Sequence, residues 1–197
     1  MRKQTRCLLL ASSSIYRKEL LSRLGLPFET ASPDIDETPR PGESAAQTSL
    51  RLAEAKAREL ASRHPDHLII GSDQVALLDG EQLGKPGSVP VAIEMLRRTR
   101  GRELVFHTAL ALYDARCDML RERVDITTVR MRDLSDGQIA AYLEREPDAI
   151  HCAGGCMSEK LGGALIARID STDPNALIGL PLFDLVDLLL EAGVEVL

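Results

Sequence analysis

Asp73 follows the apolar run Leu68-Ile69-Ile70 within Gly71-Ser72-Asp73-Gln74-Val75, and Lys85 sits twelve residues later in Gly84-Lys85-Pro86. An apolar strand that ends in a small Gly-Ser turn is expected to present its carboxylate at a sheet edge, where a metal ion or a water reaches it. The lysine belongs to a short, rigid loop. A carboxylate and a lysine delivered by neighbouring loops suit phosphate-ester chemistry: the acid handles the metal or the attacking water, and the ammonium neutralises phosphoryl oxygens.

Further candidates lie upstream. In Ala11-Ser12-Ser13-Ser14-Ile15-Tyr16-Arg17 a strand runs through a Ser-rich turn into a helix. Unpaired backbone N–H groups and hydroxyls at such a helix start can hold phosphate, and Arg17 can fork onto an oxyanion. A plain N-cap beside a surface arginine would leave the same trace. Asp34-Ile35-Asp36-Glu37 is an acidic loop, in which Glu37 either helps bind a divalent cation or is simply solvated. Lys56 interrupts an Ala-rich helix near its apolar row, where a lysine either snorkels or turns its charge towards a site.

Other chemistries find less support. Gly80-Glu81-Gln82-Leu83-Gly84-Lys85-Pro86 imitates a phosphate-binding P-loop, but it is one residue short between glycines. It also has Pro86 where Ser or Thr must bind magnesium, which argues against P-loop ATPase chemistry while leaving Lys85 able to meet phosphate. There is no Gly-x-Ser-x-Gly elbow and no His-Glu-x-x-His helix. His151, Cys152 and Cys156 lack the second ligand pair of a zinc site.

The elements that must position these groups can be read from pattern. Leu8 to Leu10 form a first strand, and a helix runs from Ile15 to about Leu24, stopped at Gly25. Phe28 to Ser32 read as a strand, and Pro33 to Gly42 as an acidic loop. Ser44 and Gln47 make a capping box for a helix to about Ser62. Its apolar row is Ala46, Leu50, Ala53, Ala57 and Leu60. Strands at His67 to Gly71 and Val75 to Leu78 follow, then a helix opened by Ser88. Glu103 to Tyr113 and Leu120 to Arg132 read as a long hairpin with alternating residues in its second arm. Ser135 with Gln138 caps a helix ended by Pro147, Leu165 to Ile169 is a late strand, and Pro181 to Ala192 is a helix stopped by Gly193. Asp173-Pro174-Asn175 and Gly179-Leu180-Pro181 cap and start that last helix. Strands and helices interleave around a central hairpin, so a mixed α/β sheet is expected.

Composition limits the partners. The chain has 197 residues, with 44% apolar, 27% charged and only 3% aromatic residues. That length suits one domain with a core of Leu, Ile, Val and Ala. A net charge of −6 argues against a nucleic-acid polymer as partner but not against a nucleotide pocket, which needs only a few cations. No apolar run approaches the roughly 18 residues of a membrane span. The basic start Met1-Arg2-Lys3-Gln4-Thr5-Arg6 mimics a signal peptide, but the apolar run behind it is too short. Four cysteines without scaffold density suit a reduced, cytosolic compartment.

Taken in order, Leu10-Ala11-Ser12-Ser13-Ser14 with Arg17, Asp36-Glu37, Leu52-Ala53-Glu54-Ala55-Lys56-Ala57, Gly71-Ser72-Asp73 and Gly84-Lys85-Pro86 carry a family resemblance. Asp173-Pro174-Asn175 and Gly179-Leu180-Pro181 extend it to the tail. The chain resembles the Maf (septum-formation-inhibitor-like) nucleotide pyrophosphatases over nearly its whole length. Gln74-Val75 after the aspartate, and Ser158-Glu159 after Cys152-Ala153-Gly154, are similar to the branch that hydrolyses 7-methyl-GTP. Ile15-Tyr16 departs from the Pro and larger aromatic of that branch, although Tyr16 keeps an aromatic face.

The resemblance implies one domain over residues 1–197, with a long mixed sheet bent around a cleft between two lobes, as in the inosine triphosphate pyrophosphatases. It implies a cytoplasmic, dimeric house-cleaning hydrolase of nucleotide metabolism that cuts a nucleoside triphosphate to monophosphate and pyrophosphate with Mg²⁺, Mn²⁺ or Co²⁺. Asp73 is then the general base or a metal-bound carboxylate, with Glu37 assisting at the cation. Ser12, Arg17, Lys56 and Lys85 hold phosphate, while Tyr16, Gln74 and Glu159 select the base. Two other functions stay open: a dTTP/UTP pyrophosphatase of the sister branch, where a threonine would replace Gln74, and a non-catalytic nucleotide-binding regulator of cell division.

Overall fold

The computed structural model describes residues 6–197, so the basic start that mimics a signal peptide, Met1 to Arg6, lies outside the described residues except for Arg6. Seven strands join in one mixed sheet in the order β2-β1-β3-β5-β6-β7, with β4 paired to β3 off that path. The strands are β1 (Cys7–Ala11), β2 (Phe28–Ala31), β3 (His67–Leu78), β4 (Glu81–Leu83), β5 (Glu103–Asp114), β6 (Met119–Met131) and β7 (Ile166–Asp170). The chain divides into two compact units. One comprises the described residues up to Asp73 with Thr108–Asp125 and Asp173–Leu197; the other comprises Gln74–His107 and Ile126–Thr172.

The first unit is layered. β1 runs parallel to both β2 and β3. Helices α1 (Ile15–Ser22) and α2 (Ala45–Glu59) provide the crossovers that parallel strands require. Alternate residues of the buried strands face opposite layers. Leu8, Leu10, Leu68 and Ile70 pack with Leu20 and Leu21 of α1, and with Leu185, Leu188 and Leu189 of α5 (Leu182–Glu191). Leu9, Ala11 and Ile69 point the other way, onto Ala57 and Leu60 at the α2 end.

α2 begins as its sequence predicts. The Ser44 hydroxyl accepts from the Gln47 N–H at 3.3 Å, while the Gln47 side chain accepts from the Ser44 N–H at 2.9 Å. Its buried face includes Ser49, Leu52, Ala53, Lys56 and Ala57. The face is therefore rotated from the row expected through Ala46 and Leu50, both only half-buried, and it carries a lysine.

One local expectation is overturned. Gly71-Ser72-Asp73 is not a turn between two strands at a sheet edge; it lies in the middle of the continuous β3, between β1 and β5. The reason is at Gly71. A Cβ there would fall 2.0 Å from the Ala53 carbonyl oxygen and 3.1 Å from the Ala57 nitrogen of α2. The glycine lets helix and sheet backbones touch, which is one of the two physical uses of glycine in a strand.

The second unit starts with the end of β3 and its β4 hairpin partner. Ser88 stands at the N-cap of α3 (Val89–Thr99) but makes no side-chain cap bond; Pro90 in the first turn sets that start. The capping box before α4 (Asp136–Arg145) does form, with Ser135 and Gln138 exchanging bonds of 2.9 and 3.3 Å. β6 and β7 pair antiparallel, with Val129 opposite Ile169. The alternation of β6 holds, but Thr127, Val129 and Met131 form the buried row while Ile126 is exposed.

Candidate functional site

The contact between α2 and β3 at Gly71 sets the geometry of the site. Asp73 lies two residues past Gly71 on the same face of β3, towards the helix, and only 8% of it is exposed. Lys56, one turn along α2 from Ala53, is equally buried, and its Nζ donates to Asp73 Oδ1 at 2.6 Å. The same ammonium stands 2.8 Å from Glu37 Oε1. Two carboxylates thus converge on one buried cation. Removing these charges from water without partners would be prohibitive, so each requires the others.

Glu37 is the exposed member, and its loop is held from below. Glu43 accepts from Arg51 Nε at 2.6 Å and from Arg51 Nη2 at 2.8 Å, and Arg51 also donates to the Thr38 carbonyl at 3.2 Å. Asp36 closes the adjacent turn by accepting from the Thr38 N–H at 2.9 Å. The Arg51 fork, with help from the Arg40 N–H and Thr48 hydroxyl, pulls the Glu43 carboxyl down to about 2.

Arg17 approaches from α1. Its Nε donates to the Gly179 carbonyl at 2.8 Å, which fixes the guanidinium plane. Ser72, buried on the opposite face of β3 from Asp73, donates to the same carbonyl at 2.8 Å. Burial pulls the Arg17 pKa below its ordinary value, and the charges of Asp73 and Glu37 oppose that shift. Arg17, Glu37, Lys56 and Asp73 therefore form one electrostatic group. In the turn before α1, Ser12 Oγ accepts from the Ser14 N–H at 3.1 Å and Ser14 Oγ caps the Arg17 N–H at 3.3 Å. Tyr16, on the first turn of α1, is half-buried.

Three sequence-predicted residues belong to the second unit. Gln74 is its first residue, adjoining Asp73 in β3. Lys85 is exposed on a segment anchored at both ends: the Gly84 carbonyl accepts from Gly154 N–H at 3.4 Å, and Gly87 N–H donates to Ile150 at 2.8 Å. Glu159 is exposed, with the Ser158 hydroxyl 3.5 Å from its carboxylate. The nearby thiols are poor nucleophiles, since burial beside Glu159 and Cys152 pushes Cys156 up to about 12.

Two carboxylates with a shared focus are hard oxygen donors of the kind that magnesium and manganese prefer. Asp73 and Glu37 fit such a cation, which would share their charge with Lys56.

The sequence marks Ser72 and Gly179 only as members of their motifs and gives neither a role at the site, although both fix Arg17 or its anchor. Gly179 has φ 121°, and a Cβ there would lie 3.3 Å from Arg17 Nε, so glycine is required for this approach. The tail motif acts as expected on the last helix: buried Asp173 accepts from the Phe183 N–H at 2.7 Å and from Asn175 N–H at 2.8 Å. It also supplies the loop that carries Gly179 to Arg17.

A family model described as Maf-like protein matches residues 7–192, and the chain belongs to this family. It is 57% identical over 190 residues to the 7-methyl-GTP pyrophosphatase of Chromobacterium violaceum, covering 96% of this chain and 98% of the relative. It is 54% identical to the protein of the same name in Neisseria meningitidis serogroup B, with coverage of 96% and 97%. Among solved structures, the Staphylococcus aureus Ham1 protein matches at a TM-score of 0.47 and 16% identity, covering 65% of this chain and 73% of that one. That likeness is too distant to define this chain's fold or chemistry.

Proposed function

We propose that this chain is a nucleoside triphosphate pyrophosphatase that hydrolyses 7-methyl-GTP to 7-methyl-GMP and pyrophosphate. The observation that carries the reading is the buried Lys56 bridged to Asp73 and Glu37, an arrangement with little value for stability and direct value for phosphoryl chemistry. The names of the relatives at 57% and 54% identity supply the substrate.

In this mechanism Asp73 accepts a proton from a water whose oxygen attacks the α-phosphorus. The bond from that phosphorus to the α–β bridging oxygen breaks, and pyrophosphate leaves with the bridging oxygen. Charge spreads over the phosphoryl oxygens during the transfer, so positioned cations are the main resource of the protein. Arg17 and Lys56 supply them, Ser12 with the α1 N-terminus adds hydrogen bonds and a favourable dipole, and Lys85 is assigned to phosphate on the strength of the family resemblance. Asp73 and Glu37 would hold a divalent cation, which polarises the phosphoryl oxygens when bound. Tyr16, Gln74 and Glu159 are assigned to the base, on the strength of the branch resemblance. The enzyme is proposed to act as one functional domain, in a cytoplasmic homodimer; four cysteines in 197 residues, without scaffold density, suit a reducing compartment.

Phosphorus NMR of the reaction run in ¹⁸O-water tests this reading. Pyrophosphate as first product, with the label in the monophosphate and activity lost in excess EDTA, is expected. Orthophosphate as first product would overturn it. A regulator that only binds would give no turnover, and a sister-branch enzyme would favour UTP or dTTP.

A further inference from the structure

His67, the first residue of β3, brings both ring nitrogens into the protein without a hydrogen-bond partner for either. An imidazole must carry at least one N–H donor, and a neutral ring also has an acceptor, so two shielded nitrogens without partners call for an explanation. Two groups stand beside the ring. The His64 ring stands edge-on to it, with centroids 5.0 Å apart. Glu29 Oε1 on β2 is 3.7 Å from His67 Nε2. Nitrogen or oxygen ligand atoms of Glu29, His64 and His67 all lie within 4.8 Å of one another.

We propose that Glu29, His64 and His67 form a second metal site, for a zinc-class divalent transition ion. Two imidazoles and one carboxylate are a donor set suited to zinc, and three protein ligands leave a fourth position for water. Bonds of about 2.0–2.1 Å in tetrahedral geometry put ligand atoms roughly 3.4 Å apart, close to the observed separation of His67 from Glu29. Small side-chain rotations complete the triangle. The set differs from the all-oxygen pair of Asp73 and Glu37, so softness alone separates the two sites.

Its place in the fold also differs. Register pairs Cys7 of β1 with His67 and Leu9 with Glu29, so His67 and Glu29 occupy the same face of the sheet on opposite sides of β1. That is the face covered by α2, and His64 lies in the turn that follows the helix, its N–H bonded to Leu60 at 3.0 Å. Asp73 is six residues further along β3, roughly 20 Å at strand rise. An ion here would clip edge strand β2, the α2–β3 turn and β3 together across β1. Its consequence is stabilisation by mass action, without a part in hydrolysis.

Calorimetric titration of the full chain with Zn²⁺, compared with Mg²⁺, tests the site. Wild type and an Asp73→Asn, Glu37→Gln double variant are both expected to bind one Zn²⁺ tightly, with a melting temperature that rises with Zn²⁺ concentration. Glu29→Gln, at an exposed position that does not threaten folding, is expected to weaken that binding at least about tenfold, and His64→Gln with His67→Gln to abolish it. Zn²⁺ affinity unchanged in both Glu29→Gln and the double histidine variant would overturn the proposal. So would loss of tight Zn²⁺ binding in the Asp73, Glu37 variant alone. The expected Zn²⁺ binding stands or falls apart from the hydrolytic reading, because it is read without substrate.

Discussion

The Lys56 ammonium stands 2.6 Å from the Asp73 carboxylate, delivered by the helix whose backbone touches the sheet at Gly71. A lysine inside an alanine-rich helix face and an acid inside a central strand are each costly alone. Together, with Glu37 at 2.8 Å from the same nitrogen, they neutralise one another while keeping charge of both signs at one place. A site that must gather an anionic substrate and activate water needs both signs in reach.

Asp73→Asn keeps the side-chain shape and an oxygen that can accept from Lys56, but removes the proposed base. Steady-state kinetics with 7-methyl-GTP are expected to show kcat reduced by at least about 10²-fold, the lower end of general-base contributions. Circular dichroism should still report a folded protein, with a lower melting temperature because buried Lys56 keeps only Glu37 as its counter-charge. A near-normal kcat would make the carboxylate structural.

Gly71→Ala is expected to damage the protein without touching any charged group. The added methyl carbon meets the Ala53 carbonyl oxygen at 2.0 Å, and both partners are backbone, which cannot move aside as a side chain can. Overpacking of this kind costs about 1–3 kcal/mol, and more where the backbone must shift. Denaturant titration should show a lower midpoint. Because the same contact sets Lys56 against Asp73, kcat of the folded fraction should fall as well.

The Glu43 carboxyl, held near 2 by the Arg51 fork against an ordinary value of 4.5, ties the Glu37 loop to α2. A lowered folded-state value means that its contribution to stability is fully present above about pH 4.5. The contribution is lost as pH falls from there through about 2. Glu43→Gln is therefore expected to be less stable than wild type at neutral pH and to converge with it in acid. Thermal melts from pH 7 to pH 2 check the sign: a gap between the two proteins that widened in acid would contradict it.

Residue types and their order made the site legible, and their conformations much less so. The capping boxes at Ser44 and Ser135 were readable because they are local, each closed within one turn of helix. Asp73 stood out because a carboxylate after an apolar run has no stabilising purpose. The pattern alone predicts a turn at the end of that run, since Gly71 signals either a bend or a close approach. Only the neighbour at Ala53, eighteen residues earlier, decides between them. The motifs that contain Ser72 and Gly179 are legible, but their part in holding Arg17 is not, for a similar reason. Their bonds to each other and to Arg17 span more than a hundred residues, and neither type is unusual on its own. Glu29, His64 and His67 are likewise joined only by strand register.

Base selection is the last test, and the proposal assigns it first to Glu159. N7-methylation places a positive charge on guanine while leaving its N1–H and N2–H donors in place. An exposed carboxylate such as Glu159, with Ser158 Oγ 3.5 Å away, can accept from those donors and offset the ring charge. Hydrogen bonds to a charged group contribute about 1.5–3 kcal/mol, or roughly 10- to 150-fold, to both guanine nucleotides over bases without this donor pair, so only the offset of the ring charge separates 7-methyl-GTP from GTP. Tyr16 can add about 0.5–2 kcal/mol if its ring meets the cationic base. The kcat/KM values are accordingly expected to rank 7-methyl-GTP above GTP, and both above UTP and dTTP. Glu159→Gln should shrink the advantage of 7-methyl-GTP over GTP by about tenfold, chiefly through KM, since the base is remote from the reacting phosphorus. Unchanged selectivity in Glu159→Gln would remove this residue from base recognition, and a preference of the wild type for UTP or dTTP would move the chain to the sister branch.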